Sequence, residues 1–84
     1  MFVWHLYRPN GADYDEVEGW VIVAKSARAA RLWAASDAHG PGQRYGDEGP
    51  AVWEDSSESV CTRVGVAAPS HAFPHTVMRA FRNG

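Results

Sequence analysis

The sequence predicts a small α+β two-layer sandwich: an antiparallel sheet with one helix on one face, in the order ββαββ. Three observations predict it. Segments 2–8, 18–26, 59–67 and 75–81 are apolar or alternating over strand lengths, with β-branched and aromatic residues prominent. Segment 27–39 is dominated by alanine, arginine and leucine, all strong helix formers. Proline, glycine and asparagine punctuate the joints between them. At 84 residues the chain is expected to be one domain, with one core and no enclosed cleft of enzyme size.

In the first strand, "FVWHLYR", Phe2, Trp4 and Leu6 share one face, and Val3, His5 and Tyr7 the other. Both faces are apolar enough for a central strand, or for an edge covered by a partner. Pro9 stops the strand, and Asn10-Gly11 supplies residues that tolerate positive φ. In the second strand, "EGWVIVAKS", Trp20, Ile22 and Ala24 oppose Val21 and Val23. The short polar connection makes an antiparallel hairpin the simplest pairing.

Ser26 precedes "ARAARLWAASDAH" and can accept a hydrogen bond from an orphan N–H of the first helical turn. Ala30, Trp33, Ala34 and Asp37 recur at helical spacing, so the small alanines lie close on the sheet while Trp33 fills the gap. Arg28, Arg31 and Ala35 fall on the flank, and Gly40-Pro41 is the expected stop. Residues 40–50 are rich in glycine and proline and read as loop, with "AVW" at 51–53 as a short edge strand. The third strand sets Val60, Thr62, Val64 and Val66 against Cys61, Arg63 and Gly65. In the fourth, "HTVMRAF", Val77, Arg79 and Phe81 alternate with Thr76, Met78 and Ala80; strand is favoured over helix because Pro74 and Gly84 leave little room. Nothing in the chain is left to cover the second sheet face, so a homo-oligomer, a dimer or higher, is expected, joined through that face or through strand edges.

A formal charge of −2 argues against duplex nucleic acid as a partner. The absence of an apolar run of span length argues against a membrane. The single Cys61 excludes an internal disulfide and suits a reducing cytoplasm. Ten aromatic rings are many for so small a core, and exposed rings mark interfaces or ligand platforms.

Catalytic signatures are missing: there is no nucleophile elbow, no zinc-protease helix and no phosphate loop. His71-x-x-x-His75 contains Pro74 and lacks a third ligand, so no metal site is expected there. Cys61 in an alternating strand reads as a small core residue more readily than as a nucleophile. Asp13, Asp15, Glu16, Asp47 and Glu48 offer carboxylates, but nothing in the sequence fixes their separation.

Arginines accompanied by aromatics form the most coherent set. Arg28 and Arg31 are three residues apart on the helix and reach one patch near its N-terminus. Arg44, Tyr45 and Trp53 lie in or beside the long loop, and Tyr14 lies at the hairpin. Guanidinium forks for phosphate and flat rings for a base would together bind a small anionic nucleotide, with no cofactor and no metal. Against this, Arg31 could pair with an acid and Trp53 could plug the core.

The stretches "YDEVEGWVIVAKSARAARLWAA", "GDEGPAVW", "SESVCTRVGV" and "FRNG" resemble a loose group of short accessory proteins encoded by bacteriophages and actinobacterial prophages. Arg82 makes the C-terminal match the weakest part. That group has no established common activity. What the resemblance implies is a setting in the host-cell cytoplasm and an anti-defence role, in which some small phage proteins act as oligomeric sponges for nucleotide signals and others block a host protein. The leading expectation is therefore a non-enzymatic, oligomeric nucleotide sponge. A protein–protein inhibitor comes second, and a small phosphodiesterase or nuclease is the outsider.

Overall fold

A computed structural model of the protein describes residues 1–11, 16–37, 49–70 and 73–82. It is a two-layer α+β sandwich. Strands β1 (Phe2–Tyr7), β2 (Glu16–Ala24), β3 (Val60–Val66) and β4 (His75–Arg82) form one antiparallel sheet in the order β3-β1-β2-β4. Helix α1 (Ala27–Asp37) covers one side, and a short helix α2 (Gly49–Glu54) packs beside it. Among the described residues no helix is long and apolar enough to cross a membrane.

The hairpin forms as the sequence predicts. β1 and β2 pair from Phe2↔Ala24 to Tyr7↔Gly19, and the turn holds Gly11 at φ 76°. β2 starts two residues earlier than expected and ends at Ala24, because Lys25 and Ser26 turn toward the helix. Ser26 caps α1: its hydroxyl accepts the Ala29 N–H at 3.1 Å and its carbonyl accepts the Ala30 N–H at 2.9 Å.

The core lies between the sheet and the helices. Leu6, Trp20, Ile22 and Ala24 meet Ala30, Ala34 and Ala35 of α1 and Val52 and Trp53 of α2. Val17 joins the same core although it sits an odd number of residues from Trp20. A bulge between Val17 and Gly19 in the β2–β4 pairing adds Glu18 and resets the alternation. Burying Val17 therefore depends on the pairing with β4.

Two expectations about the helical layer are corrected. The segment 51–53 is not an edge strand but part of α2. Val52 and Trp53 are consecutive yet both buried, and a strand would point them to opposite sides. Pro50, just inside the start of this helix, suits a first turn whose N–H groups need no internal partner. Trp33 does not fill the gap under α1. It sits at the rim, 38 % exposed, and its indole N–H donates to Thr76 Oγ1 of β4 at 2.8 Å. The gap is filled by Trp20 and Trp53, whose rings meet edge to face at 6.0 Å. The helix stop at Gly40 lies outside the described residues.

Gly19 is fixed by crowding in the hairpin. A Cβ there would stand 2.9 Å from the Leu6 carbonyl oxygen, a backbone atom that cannot swing aside. Gly19→Ala is therefore expected to cost about 1–2 kcal/mol through strain in the β1–β2 ladder. A urea titration followed by circular dichroism reads it as a lower midpoint with unchanged slope.

Candidate functional site

Ser26 starts α1 one residue before Ala27, so Arg28 falls in the first turn and Arg31 one turn later on the same flank. Leu32 follows Arg28 at i+4, and Glu54 closes α2 alongside. These four side chains line an open groove of about 430 Å³ on the helical layer. Bringing Arg28 and Arg31 to one patch matches the expectation from their spacing.

The two arginines stand in different states. Arg28 is exposed and, among the described residues, has no hydrogen-bond or ion-pair partner. Arg31 is half-buried and both terminal nitrogens of its guanidinium are engaged. Nη1 donates to Ser59 Oγ at 2.9 Å, to the Trp53 carbonyl at 3.2 Å and to the Asp55 carbonyl at 3.5 Å; Nη2 donates to the Ser59 carbonyl at 3.0 Å. The side chain ties the C-terminus of α2 to the start of β3. It satisfies carbonyls that a helix end leaves without partners and places a positive charge at the negative end of that helix. It pairs with carbonyls and a hydroxyl, where the sequence suggested an acid.

Ser59 completes this clamp. It is buried, accepts from Arg31 and donates its hydroxyl proton to the Val52 carbonyl at 2.6 Å. The turn before it is closed by Asp55, whose carboxylate accepts from the Ser57 amide and hydroxyl, each at 2.8 Å. Those bonds, led by the Ser57 amide and helped by the nearby Arg31 charge, hold the Asp55 carboxyl below its usual range.

Trp53 does not serve as the stacking ring that the sequence suggests. At 1 % exposure, with Trp20 against it, it has no ring face to offer and is a core residue. Tyr14, Arg44 and Tyr45, the other expected ligand contacts, lie outside the described residues, as do Asp13, Asp15, Asp47, Glu48 and His71. Cys61 packs at the edge of the core with its Sγ 4.0 Å from the Ala27 carbonyl. Burial pushes its thiol pKa up, only partly opposed by the Arg31 charge, which works against a reactive thiolate. Among the described residues no group of three or more His, Cys, Asp or Glu converges on a common point.

Glu54, Leu32 and Ser59 do not stand out in the sequence as site residues. Glu54 and Ser59 sit inside a polar run, "EDSSES", where nothing local separates a groove carboxylate from a solvated one or a buried hydroxyl from an exposed one. Leu32 reads as a core residue by its apolar character, yet it is 46 % exposed at the groove.

Among the described residues, the groove offers one guanidinium without a partner, one carboxylate and one aliphatic wall. Such a set can hold a molecule with an anionic group at one end and hydrogen-bond donors at the other. Fold and groove together define a two-layer α+β domain with a mixed-charge groove on its helical layer. Among known protein families, curated proteins and solved structures, none matches the chain.

Proposed function

We infer that the protein is a non-enzymatic binding module that captures a small nucleotide-derived anion in the groove beside α1. The observation that supports this reading is Arg28, exposed at the groove without a partner among the described residues. An unengaged guanidinium in the first turn of a capped helix suits a phosphate, because the N-terminal partial charge acts in the same sense. Glu54 suits ribose hydroxyls or base N–H groups, and Leu32 gives the base an apolar contact. Arg31 contributes charge from a fixed position, its terminal N–H groups being given to Ser59 and to the Trp53 and Asp55 carbonyls. Tyr14, Arg44 and Tyr45 remain the proposed further contacts, and capture is reversible with no bond cleaved. The setting as a phage-type, anti-defence accessory in a host cytoplasm rests on the sequence resemblance.

Arg28→Glu is expected to abolish the thermal stabilisation given by cyclic dinucleotides or ADP-ribose compounds while leaving the ligand-free melting temperature within about 2 °C, since exposed substitutions change stability little. Differential scanning fluorimetry across both ligand series is the test. No stabilisation of the unmodified protein by any of them sinks this reading.

A second reading is favoured by a separate observation. The sheet side away from α1 carries exposed Tyr7 and Met78, which suits docking onto a host protein that the module would inhibit. Recovery of one host protein in stoichiometric amount, with no nucleotide bound, would favour it.

A further inference from the structure

The groove beside α1 carries opposite charges that do not meet. Arg28 and Leu32 stand one turn apart on α1, and Glu54 lines the same groove from the end of α2. All three are exposed, and among the described residues the side chain of neither Arg28 nor Glu54 has a hydrogen-bond or ion-pair partner. Two opposite charges with unused bonding capacity thus share one groove. Glu54 is also held in place. It lies between Trp53 and Asp55, and Arg31 donates to the carbonyls of both, at 3.2 and 3.5 Å. With its backbone fixed in this way, the acid has less freedom left to lose on binding. Counting Arg31, the lining sets two guanidinium groups against one carboxylate, so it is net positive in a chain that is net negative. Such a groove favours a net anion over a neutral zwitterion, and the part of that anion that meets Glu54 must offer donors without charge.

We propose that the groove selects guanine: Arg28 holds the phosphate of a guanine nucleotide, the base lies against Leu32, and Glu54 accepts from the hydrogen-bonding edge of the base. This inference rests on the reading of the groove as a nucleotide site and adds the identity of the base. A carboxylate is an acceptor only, with two oxygens side by side. It matches an edge that presents two adjacent N–H donors. Among the common bases that edge belongs to guanine, whose ring N–H stands beside its amino group. Adenine and cytosine each set a ring-nitrogen acceptor beside the amino group, and uracil flanks its one N–H with two carbonyls. Each of those three turns a lone pair toward the carboxylate. The ribose diol is also a neutral pair of donors, but it stands next to the phosphate. A carboxylate there would face the anion that Arg28 attracts, and like charges at short range repel. The base edge is the part of a nucleotide farthest from its phosphate, so binding it lets Arg28 and Glu54 act together without opposing one another. The volume agrees, since about 430 Å³ lies toward the lower end of small-molecule sites and suits a single nucleotide unit.

Isothermal titration calorimetry of the unmodified protein with GMP, AMP, IMP and 2′-deoxy-GMP is the test. GMP is expected to bind about fivefold to tenfold more tightly than AMP, at the low end of what a two-bond base contact discriminates because the groove is open to water. IMP keeps the ring N–H and lacks the amino group, so it is expected to fall between them, and 2′-deoxy-GMP is expected to match GMP. The same order is expected for cyclic di-GMP over cyclic di-AMP. Glu54→Gln sets a donor beside its one acceptor and cannot take both N–H groups. It is expected to bring GMP within about twofold of AMP without weakening AMP, and its thermal melt shows that the fold is kept. Equal binding of GMP and AMP, lost on Arg28→Glu, retains the groove as a nucleotide site and overturns the choice of guanine. If 2′-deoxy-GMP is then the weaker ligand, Glu54 belongs to the ribose. A preference for GMP that survives Glu54→Gln overturns the role of Glu54. Binding of no nucleotide at all overturns the nucleotide reading itself, and the base assignment with it.

Discussion

Trp53→Ala is expected to lower the melting temperature by about 15–30 °C. The ring is 1 % exposed and meets Trp20 edge to face at 6.0 Å, between α1 and the sheet. Truncating a buried Trp costs about 3–5 kcal/mol, from lost transfer energy and from the cavity left behind. Each kcal/mol moves the melting point of a domain this small by about 4–8 °C. The loss is a large share of the total, because a chain of this length is stable by roughly 4–13 kcal/mol. The alanines facing the ring cannot repack to fill the space, since they have no side-chain freedom to extend. Trp53→Phe keeps an aromatic edge near Trp20 and is expected to cost about half as much. Thermal melts followed by far-ultraviolet circular dichroism check both variants. A ring serving only as an exposed ligand platform would give a change under about 0.5 kcal/mol, so the size of the loss separates the two roles.

Arg31→Ala is expected to destabilise by about 2–3 kcal/mol and to loosen α2 and the start of β3 before the rest of the fold. Hydrogen bonds from a charged donor contribute about 1.5–3 kcal/mol, and removing the donor strands the acceptors it served. Those acceptors are the Ser59 hydroxyl and carbonyl and the carbonyls of Trp53 and Asp55. Arg31→Lys is expected to recover less than half, because a single ammonium cannot reach on both sides as the planar fork does. Hydrogen exchange gives the specific readout. Amides of 52–60 should exchange faster in Arg31→Ala while the β1–β2 ladder keeps most of its protection. Uniform loss of protection would show that the clamp is no local unit. The same variant bears on the groove: if Arg31 supplies only fixed charge, ligand stabilisation should weaken without vanishing, whereas Arg28→Glu should remove it.

Much of the sheet is legible in the chain. Alternation places Leu6, Trp20, Ile22 and Ala24 on one side and Val3, His5 and Val21 on the other, and the pairing agrees. The hairpin follows from Pro9 and Asn10-Gly11 with a short connection. Ser26 announces the helix start through chemistry confined to three residues. The i, i+3 spacing brings Arg28 and Arg31 to one patch, which is a property of the helix alone.

The rest needs the folded chain. Six residues are too few for helix propensity to outweigh the cost of nucleation, so α2 forms only because burying Val52 and Trp53 together stabilises it. Trp53 is therefore a core plug where the sequence suggests a loop ring, and Trp33 stands at the rim where the sequence suggests the core. Arg31 looks like its neighbour Arg28 in the sequence. It differs because its partners lie 22 to 28 residues away, at the end of an element the local pattern does not reveal. Likewise Val17 is in the core only because pairing with β4 forces a bulge at Glu18. The sequence by itself determined the strands, the hairpin, the helix start and the reach of its arginines, since each is set by steric and hydrogen-bonding preferences within a few residues. The tertiary structure decided the β3-β1-β2-β4 order, the second helix and the clamp that Arg31 forms. Those depend on burial and pairing between distant segments, whose free energy no short window of the chain contains.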